Sequence, residues 1–325
     1  MASQAVRVAS PRPADFAGDS PGQTARRLFH ATRPKFFPAS ILPILAGTAW
    51  GVQVSGNFDI AIFLLALLAT VCVHAGANVL NDVGDDSAGT DRQNEDWIYP
   101  YTGGSRFIQT GIMAAAGMAR LGISLLTVAA IAGLSLLLAK GPLILLFGLA
   151  GVALAVLYSL GPMRLSAIGL GEATVGIAFG ILPVTGAAWL QSNAIDAGLL
   201  LFSLPVSAWV AAILLINEVP DIDADGATGK KTLPVRLGLN GTAALFICIH
   251  VVAVAAVLLL TLMGSLPLAA PLLPLGLLWL AARSAAAIRS GLQDRSGMQR
   301  AIEATLGIHA AGSLWLCGCV LFATS

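Results

Sequence analysis

IAIFLLALLATVCVHAGANVLNDVGDDSAGTD, residues 60–91, is the stretch whose reading decides the fold. No residue from Ile60 to Val73 is charged, and an apolar run of about 20 residues is long enough to cross a bilayer as a helix. The run ends on Asn81, Asp82, Asp85, Asp86 and Asp91. Carboxylates are among the side chains hydrocarbon tolerates least, so the segment reads as a membrane helix delivering acids to one membrane face.

The rest of the chain agrees with that reading. Of its 325 residues 57% are hydrophobic and 11% charged, against roughly 25% charged in an ordinary soluble domain. Apolar runs long enough to span lie at 37–56, 59–80, 113–139, 142–160, 168–190, 198–217, 242–263, 266–288 and 301–322. None shows the alternation of a barrel strand, and only helices or closed barrels satisfy backbone groups in lipid. The fold class expected is therefore an all-α integral membrane protein, a bundle of about nine transmembrane helices.

Residues 1–28, rich in Pro, Ala and Ser without an apolar core, read as a flexible arm, and residues 29–325 as one transmembrane domain. Cys72, Cys248, Cys317 and Cys319 all sit in apolar runs and read as buried hydrophobes. A net charge of +1 argues against a broad basic surface for nucleic acid. With nine spans, 17 of the 18 basic residues fall on the side of the N-terminus, and only Lys140 falls opposite. The positive-inside rule makes that side cytoplasmic, in the cell's inner membrane.

A second polar stretch, NEVPDIDADGATGKKTLPVRLG at 217–238, follows the sixth run as the first follows the second. Asn81-Asp82-x-x-Asp85 aligns with Asn217-Glu218-x-x-Asp221, and Asp225 lies four residues further on. This internal match predicts two related half-bundles. Residues i and i+4 share a helix face, so Asn81 with Asp85, and Asp221 with Asp225, each offer a pair of oxygen ligands. If the two helix ends converge, their carboxylates repel unless cations lie between them. Hard oxygen donors of this kind point to Mg²⁺ with a substrate phosphate. Arg33, Lys35, Arg106, Lys230 and Lys231 lie beside the acids, and Mg²⁺ with Lys and Arg is a means of holding a diphosphate.

His74 and Asn78 continue the polar stripe of the second run, and Glu172 lies near the inner end of the fifth. Each reads either as a helix-packing polar group or as a cavity-lining one. GATGKKT is not a phosphate loop, because Ala224 and Lys231 stand where that motif needs Gly and Ser or Thr. A transporter is disfavoured by acids gathered at one membrane face among Lys and Arg, rather than at the midplane.

The two acidic sets and the nine runs together resemble the UbiA superfamily of intramembrane prenyltransferases. N-D-x-x-D-x-x-x-G-x-D at 81–91, GKKT at 229–232, LPVRLG at 233–238 and Gly171-Glu172 resemble in particular its 1,4-dihydroxy-2-naphthoate branch in menaquinone synthesis. The resemblance implies a UbiA-type bundle and Mg²⁺-dependent transfer of an isoprenoid chain from a polyprenyl diphosphate to an aromatic acceptor. It implies Asn81, Asp85, Asp221 and Asp225 as catalytic metal ligands, Asp82 and Asn217 as their support, and Arg33, Lys230 and Lys231 on the diphosphate. Lys35, Asp91, Arg106, Tyr158 and Glu172 complete the substrate-binding candidates. The superfamily places the carboxylate of Asp91 two residues earlier, where this chain has Gly89. NEDWIYPYTGGSRFIQTG at 94–111 is more aromatic than that loop usually is, and reads either as a lid over the site or as an interfacial aromatic belt. Other acceptors of the superfamily, 4-hydroxybenzoate, haem, chlorophyllide or a lipid alcohol, stay open.

Overall fold

The computed structural model describes residues 10–88, 97–159 and 163–322. Among these residues the secondary structure is wholly helical. A helix the sequence reading did not place, α1 (Pro21–Ala31), begins in the segment read as an arm and runs past its end. Its start is fixed by a capping box in which Ser20 and Gln23 satisfy each other's backbone N–H groups, with Pro21 in the first turn.

The long helices follow in the order α2 (Pro38–Ser55), α3 (Ile60–Ala88), α4 (Ala115–Lys140), α5 (Leu143–Ser159), α6 (Gly171–Ser192) and α7 (Ala197–Asn217). A short α8 (Ile222–Ala227) precedes α9 (Leu233–Leu262), α10 (Leu272–Ser290) and α11 (Arg295–Leu321). Leaving out α1 and α8, these are the nine apolar runs. Charge within the runs is sparse and lies towards their ends, and in lipid a helix is the form that satisfies its own backbone.

Three helices begin or end beyond the apolar runs. α3 continues through the acidic motif to Ala88, which puts Asn81 and Asp85 on one helix face. α9 starts at Leu233 because LPVRL forms a first turn, separated from the apolar part by Gly238, whose φ of 62° breaks the helical path. α11 starts at Arg295 because the Asp294 carboxylate caps it, accepting the Gly297 N–H at 2.8 Å.

α2, α6, α7, α9, α10 and α11 close into a ring, each packed on the next, and the α3–α4 pair lies against α2 and α6. The α3–α4 and α7–α9 pairs match across the two halves: in each, a helix ending in an acidic motif packs on the next long helix. α2 approaches α6 closely because Gly47 and Gly51, one turn apart, have no side chain there. A Cβ on Gly47 would stand 2.1 Å from the Val184 carbonyl oxygen, and one on Gly51 2.4 Å from that of Ala188. Ile177–Ile181 of α6 form a π turn just before Pro183, whose missing N–H interrupts the helical ladder.

The core faces the ring interior around Trp209, Phe202 and Phe246. Leu68, Ile131, Leu146, Leu149 and Val252 face outward and are largely exposed. Such an apolar exterior on helices of spanning length makes this a multi-pass membrane protein.

Candidate active site

The site lies where α3 and α7 end, under the loop that leads from α3 to α4. Asn81 Nδ2 donates to Asp85 Oδ2 at 2.7 Å, the i, i+4 contact that helix geometry allows. Asp82 points the other way and is 2% exposed. Its Oδ2 accepts the Ser105 N–H at 2.9 Å, and its Oδ1 is 4.0 Å from Arg33. Arg33 adopts φ 59°, in the left-handed region, at the turn leading into α2. There it stacks over Phe36 and donates to the Tyr101 carbonyl at 3.4 Å.

In the second motif, Val219–Asp221 form a 3-10 turn that breaks α7 before α8. Pro220 lacks the N–H that would continue the helical ladder, and the turn leads directly into the short helix that carries Asp225. Asp225 is 9% exposed and its Oδ1 lies 2.8 Å from Lys230 Nζ. Lys230 also acts electrostatically on Asp85, as do Arg33 and Asp82. Tyr158, at the end of α5, lies within electrostatic reach of Asp85, Asp225, Glu172 and Glu218. The two motifs therefore border one space, with Lys230 and Tyr158 between them.

The sequence-predicted residues divide by what they touch. Asn81, Asp85, Arg33, Asp225, Lys230, Tyr158 and Glu172 gather at this space, whereas Asp82 faces the loop. Asn217 closes α7 beside Glu218, with its Oδ1 buried and without a hydrogen-bond partner. Lys231 has an exposed side chain, and its N–H bonds the Ala167 carbonyl at 2.8 Å, tying the second acidic stretch to the loop before α6. Lys35 and Arg106 are engaged by aromatic rings of the loop: Lys35 lies over Tyr101 and Arg106 over Trp97, 3.7 Å from its ring centre. Asp91 lies outside the described residues, as do 94–96 of the aromatic loop.

The described part of that loop, Trp97–Gly111, is strapped to both halves of the bundle. Besides Ser105 on Asp82, Tyr101 Oη donates to Glu303 of α11 at 3.0 Å, and Arg295 donates to the Trp97 carbonyl. Burial first, and the bond to Glu303 second, push the Tyr101 phenol up to about 12. Gly103, at φ 75°, lets Trp97 and Arg106 stack, since a Cβ there would be 2.6 Å from Trp97 Cβ.

Sequence reasoning did not select Glu218, Trp97 or Ser105. Glu218 had a signal, its alignment with Asp82 in the duplicated motif. Ser105 and Trp97 act through a backbone N–H and a ring face, which no spacing rule reveals.

The donor set fits Mg²⁺ by its chemistry, being carboxylate and amide oxygens. Among the described residues no three His, Cys, Asp or Glu side chains form a metal-holding group. Asp85 and Asp225 are occupied by Asn81 and Lys230 instead.

A fold of two matched half-bundles with an acidic motif at one helix end of each defines a class of intramembrane enzymes. The chain belongs to the UbiA prenyltransferase family, whose profile matches residues 40–301, and it is a prenyltransferase. It is 34% identical to the 1,4-dihydroxy-2-naphthoate octaprenyltransferase of Mycobacterium tuberculosis, over 81% of this chain and 86% of that one. It is 33% identical to the enzyme of that name from Haemophilus influenzae, over 65% and 68%. Among solved structures, a UbiA homologue from Aeropyrum pernix superposes with a TM-score of 0.64 at 20% identity, over 86% of this chain and 96% of that one. A UbiA homologue from Archaeoglobus fulgidus bound to GPP and Mg²⁺ superposes at 0.60 and 15% identity, over 91% and 99%.

Proposed function

We propose that this enzyme transfers a prenyl chain from a polyprenyl diphosphate to 1,4-dihydroxy-2-naphthoate, at the cytoplasmic face of the inner membrane. The observation that carries this reading is the meeting of Asp85 and Asp225, one from each half, around Lys230. The naphthoate acceptor is supported by the names of the relatives from M. tuberculosis and H. influenzae. A Synechocystis relative at 29% identity, a 2-carboxy-1,4-naphthoquinone phytyltransferase, is named for the same ring system.

Asn81, Asp85, Asp221 and Asp225 would hold Mg²⁺, which when bound neutralises charge on the departing diphosphate as a Lewis acid. The homologue that binds Mg²⁺ with GPP supports this. Lys230 and Arg33 supply fixed positive charge beside the acids, with Lys231 at the rim, so negative charge developing on the leaving oxygen is met by donors already in place. As the C1–O bond breaks, its electron pair leaves with the diphosphate, the allylic carbon takes on positive charge and a ring carbon of the acceptor attacks it, then gives up its own substituent, a proton or the carboxyl group as CO₂, to restore the aromatic ring. The strapped loop Trp97–Gly111 covers this space and limits water, which would otherwise capture the cation as an alcohol. The prenyl tail stays among apolar helices while its diphosphate remains at the polar end.

The test is transfer by the purified protein in detergent, with radiolabelled farnesyl diphosphate and 1,4-dihydroxy-2-naphthoate, with Mg²⁺ or with EDTA. A Mg²⁺-dependent lipid-soluble product is expected. Prenylation of 4-hydroxybenzoate in place of the naphthoate overturns the acceptor assignment.

A further inference from the structure

A second pair of acids opens on the same space as the two motifs. Glu172 stands in the first turn of α6 and is 4% exposed; Glu218 follows Asn217 at the end of α7. Glu218 reaches the first turn of α6, its Oε1 lying 3.6 Å from where a Cβ at Gly171 would stand. The two carboxyl groups interact directly with each other. Apart from the contact between the two carboxyl groups, the oxygens of Glu172, Oε2 of Glu218 and Oδ1 of Asn217 have no hydrogen-bond partner. Buried acceptors without donors are rare in folded proteins, because the water they have lost is not replaced. Tyr158 places these orphans: it is within reach of both glutamates and of Asp85 and Asp225.

What would satisfy them is a hydrogen-bond donor. A diphosphate offers no proton at neutral pH. A hydroxyaromatic ring offers O–H donors on a flat apolar body. We infer that Glu172 and Glu218 form the acceptor subsite, their carboxyl oxygens beside Tyr158 accepting hydrogen bonds from the hydroxyl groups of the acceptor. This rests on the prenyl-transfer reading above and adds which end of the site receives which substrate. The motif acids with Lys230 take the diphosphate, and the glutamate pair takes the ring.

The test compares two probes on the full-length protein in detergent, anaerobically, by calorimetry. One is 1,4-dihydroxy-2-naphthoate and the other 2-naphthoate, which keeps the carboxylate and ring but lacks both hydroxyls. The wild type is expected to prefer the dihydroxy probe by about tenfold or more, the scale of hydrogen bonds to a charged acceptor. The Glu172→Leu/Glu218→Leu variant should lose that preference while binding farnesyl diphosphate within about twofold of wild type. If the leucine variant is not monodisperse, Glu172→Gln/Glu218→Gln, which keeps shape and removes charge, is expected to show a clearly reduced preference. A preference that survives in the variants, an equal loss for both probes, or no hydroxyl preference in the wild type overturns the subsite. Transfer assays run beside the binding separate the two readings. Hydroxyl preference through the glutamates without any transfer sinks the proposed function alone, and transfer that ignores the glutamates sinks the subsite alone.

Discussion

Lys230 Nζ stands 2.8 Å from Asp225 Oδ1, so the cation following the second acidic motif folds back onto it. Gly229, at φ 79°, makes the turn, and the Lys230 N–H closes it on the Asp225 carbonyl at 2.9 Å. The same ammonium acts on Asp85 across the site. Lys230→Met is therefore expected to remove a charge-assisted contact to the diphosphate, about 1.5–3 kcal/mol, or roughly tenfold to hundredfold in kcat/KM for the prenyl diphosphate. Steady-state kinetics with varied diphosphate at saturating acceptor measure it, and an unchanged KM for the diphosphate would remove Lys230 from that role.

Asp82 is oriented towards the loop, not the site space. Its Oδ2 takes the Ser105 N–H and its Oδ1 faces Arg33. Asp82→Ala leaves a buried amide and a guanidinium without that partner, a cost of about 1–3 kcal/mol. Loosening of Trp97–Gly111 should follow, read as faster tryptic cleavage at Arg106 and a lower midpoint of thermal unfolding in detergent. Unchanged cleavage would show that the loop is held by its other straps alone.

Much of this architecture was legible in the chain, for physical reasons that also set the limit. Nine apolar runs without the alternation of barrel strands could only be helices, and the matched N-D-x-x-D and N-E-x-x-D ends announced two halves. Helical spacing correctly paired Asn81 with Asp85. It could not show the 3-10 turn at Val219–Asp221 between α7 and α8, because Pro220 acts through a backbone N–H it lacks. Nor could it foresee Arg106 against Trp97 or Ser105 on Asp82, which depend on how a loop returns to helices distant in sequence. Helix α1 was missed because its amphipathic sequence has no long apolar run, although S-x-x-Q at Ser20 was a readable start signal.

The loop's second strap is the Tyr101–Glu303 bond. Its phenol, pushed up to about 12, lies above the value near 10 of an unfolded tyrosine. A pKa raised on folding gives stabilisation that is complete below about pH 10 and fades as pH climbs towards 12. Cleavage of the loop is thus expected to show no contribution from Tyr101 titration between about pH 7 and pH 9. Tyr101→Phe should raise the cleavage rate by a similar factor throughout that range, and a variant effect confined to one end of it would contradict the assignment.

The close approach of α2 and α6 predicts a different defect. A Cβ at Gly47 would meet the Val184 carbonyl oxygen at 2.1 Å, which is backbone and cannot rotate away. Gly47→Val should therefore force the helices apart and lower thermal stability, by about 1–3 kcal/mol or more on the scale of overpacked cores. Gly148, with nothing near its missing side chain, is the matched control, and Gly148→Val should leave the unfolding midpoint nearly unchanged.

The sharpest division between fold and chemistry runs through Asp85 and Asp221, each partly exposed at the end of a helix whose packing lies elsewhere. The Asp85 carboxylate takes its hydrogen bond from Asn81 at the helix end, so Asp85→Ala opens no void in the core and leaves an exposed amide that water can satisfy. Asp221→Ala likewise touches a 3-10 turn whose backbone bond, Asp221 N–H to the Glu218 carbonyl at 3.1 Å, does not depend on the side chain. Both variants are expected to insert and unfold as the wild type does, while prenyl transfer falls by a thousandfold or about that, the scale on which electrostatic stabilisation of a leaving group acts. If one half-site could work alone, one of the two would retain wild-type rates. Loss in both, with the unfolding midpoint held, is what a diphosphate site built from two halves requires.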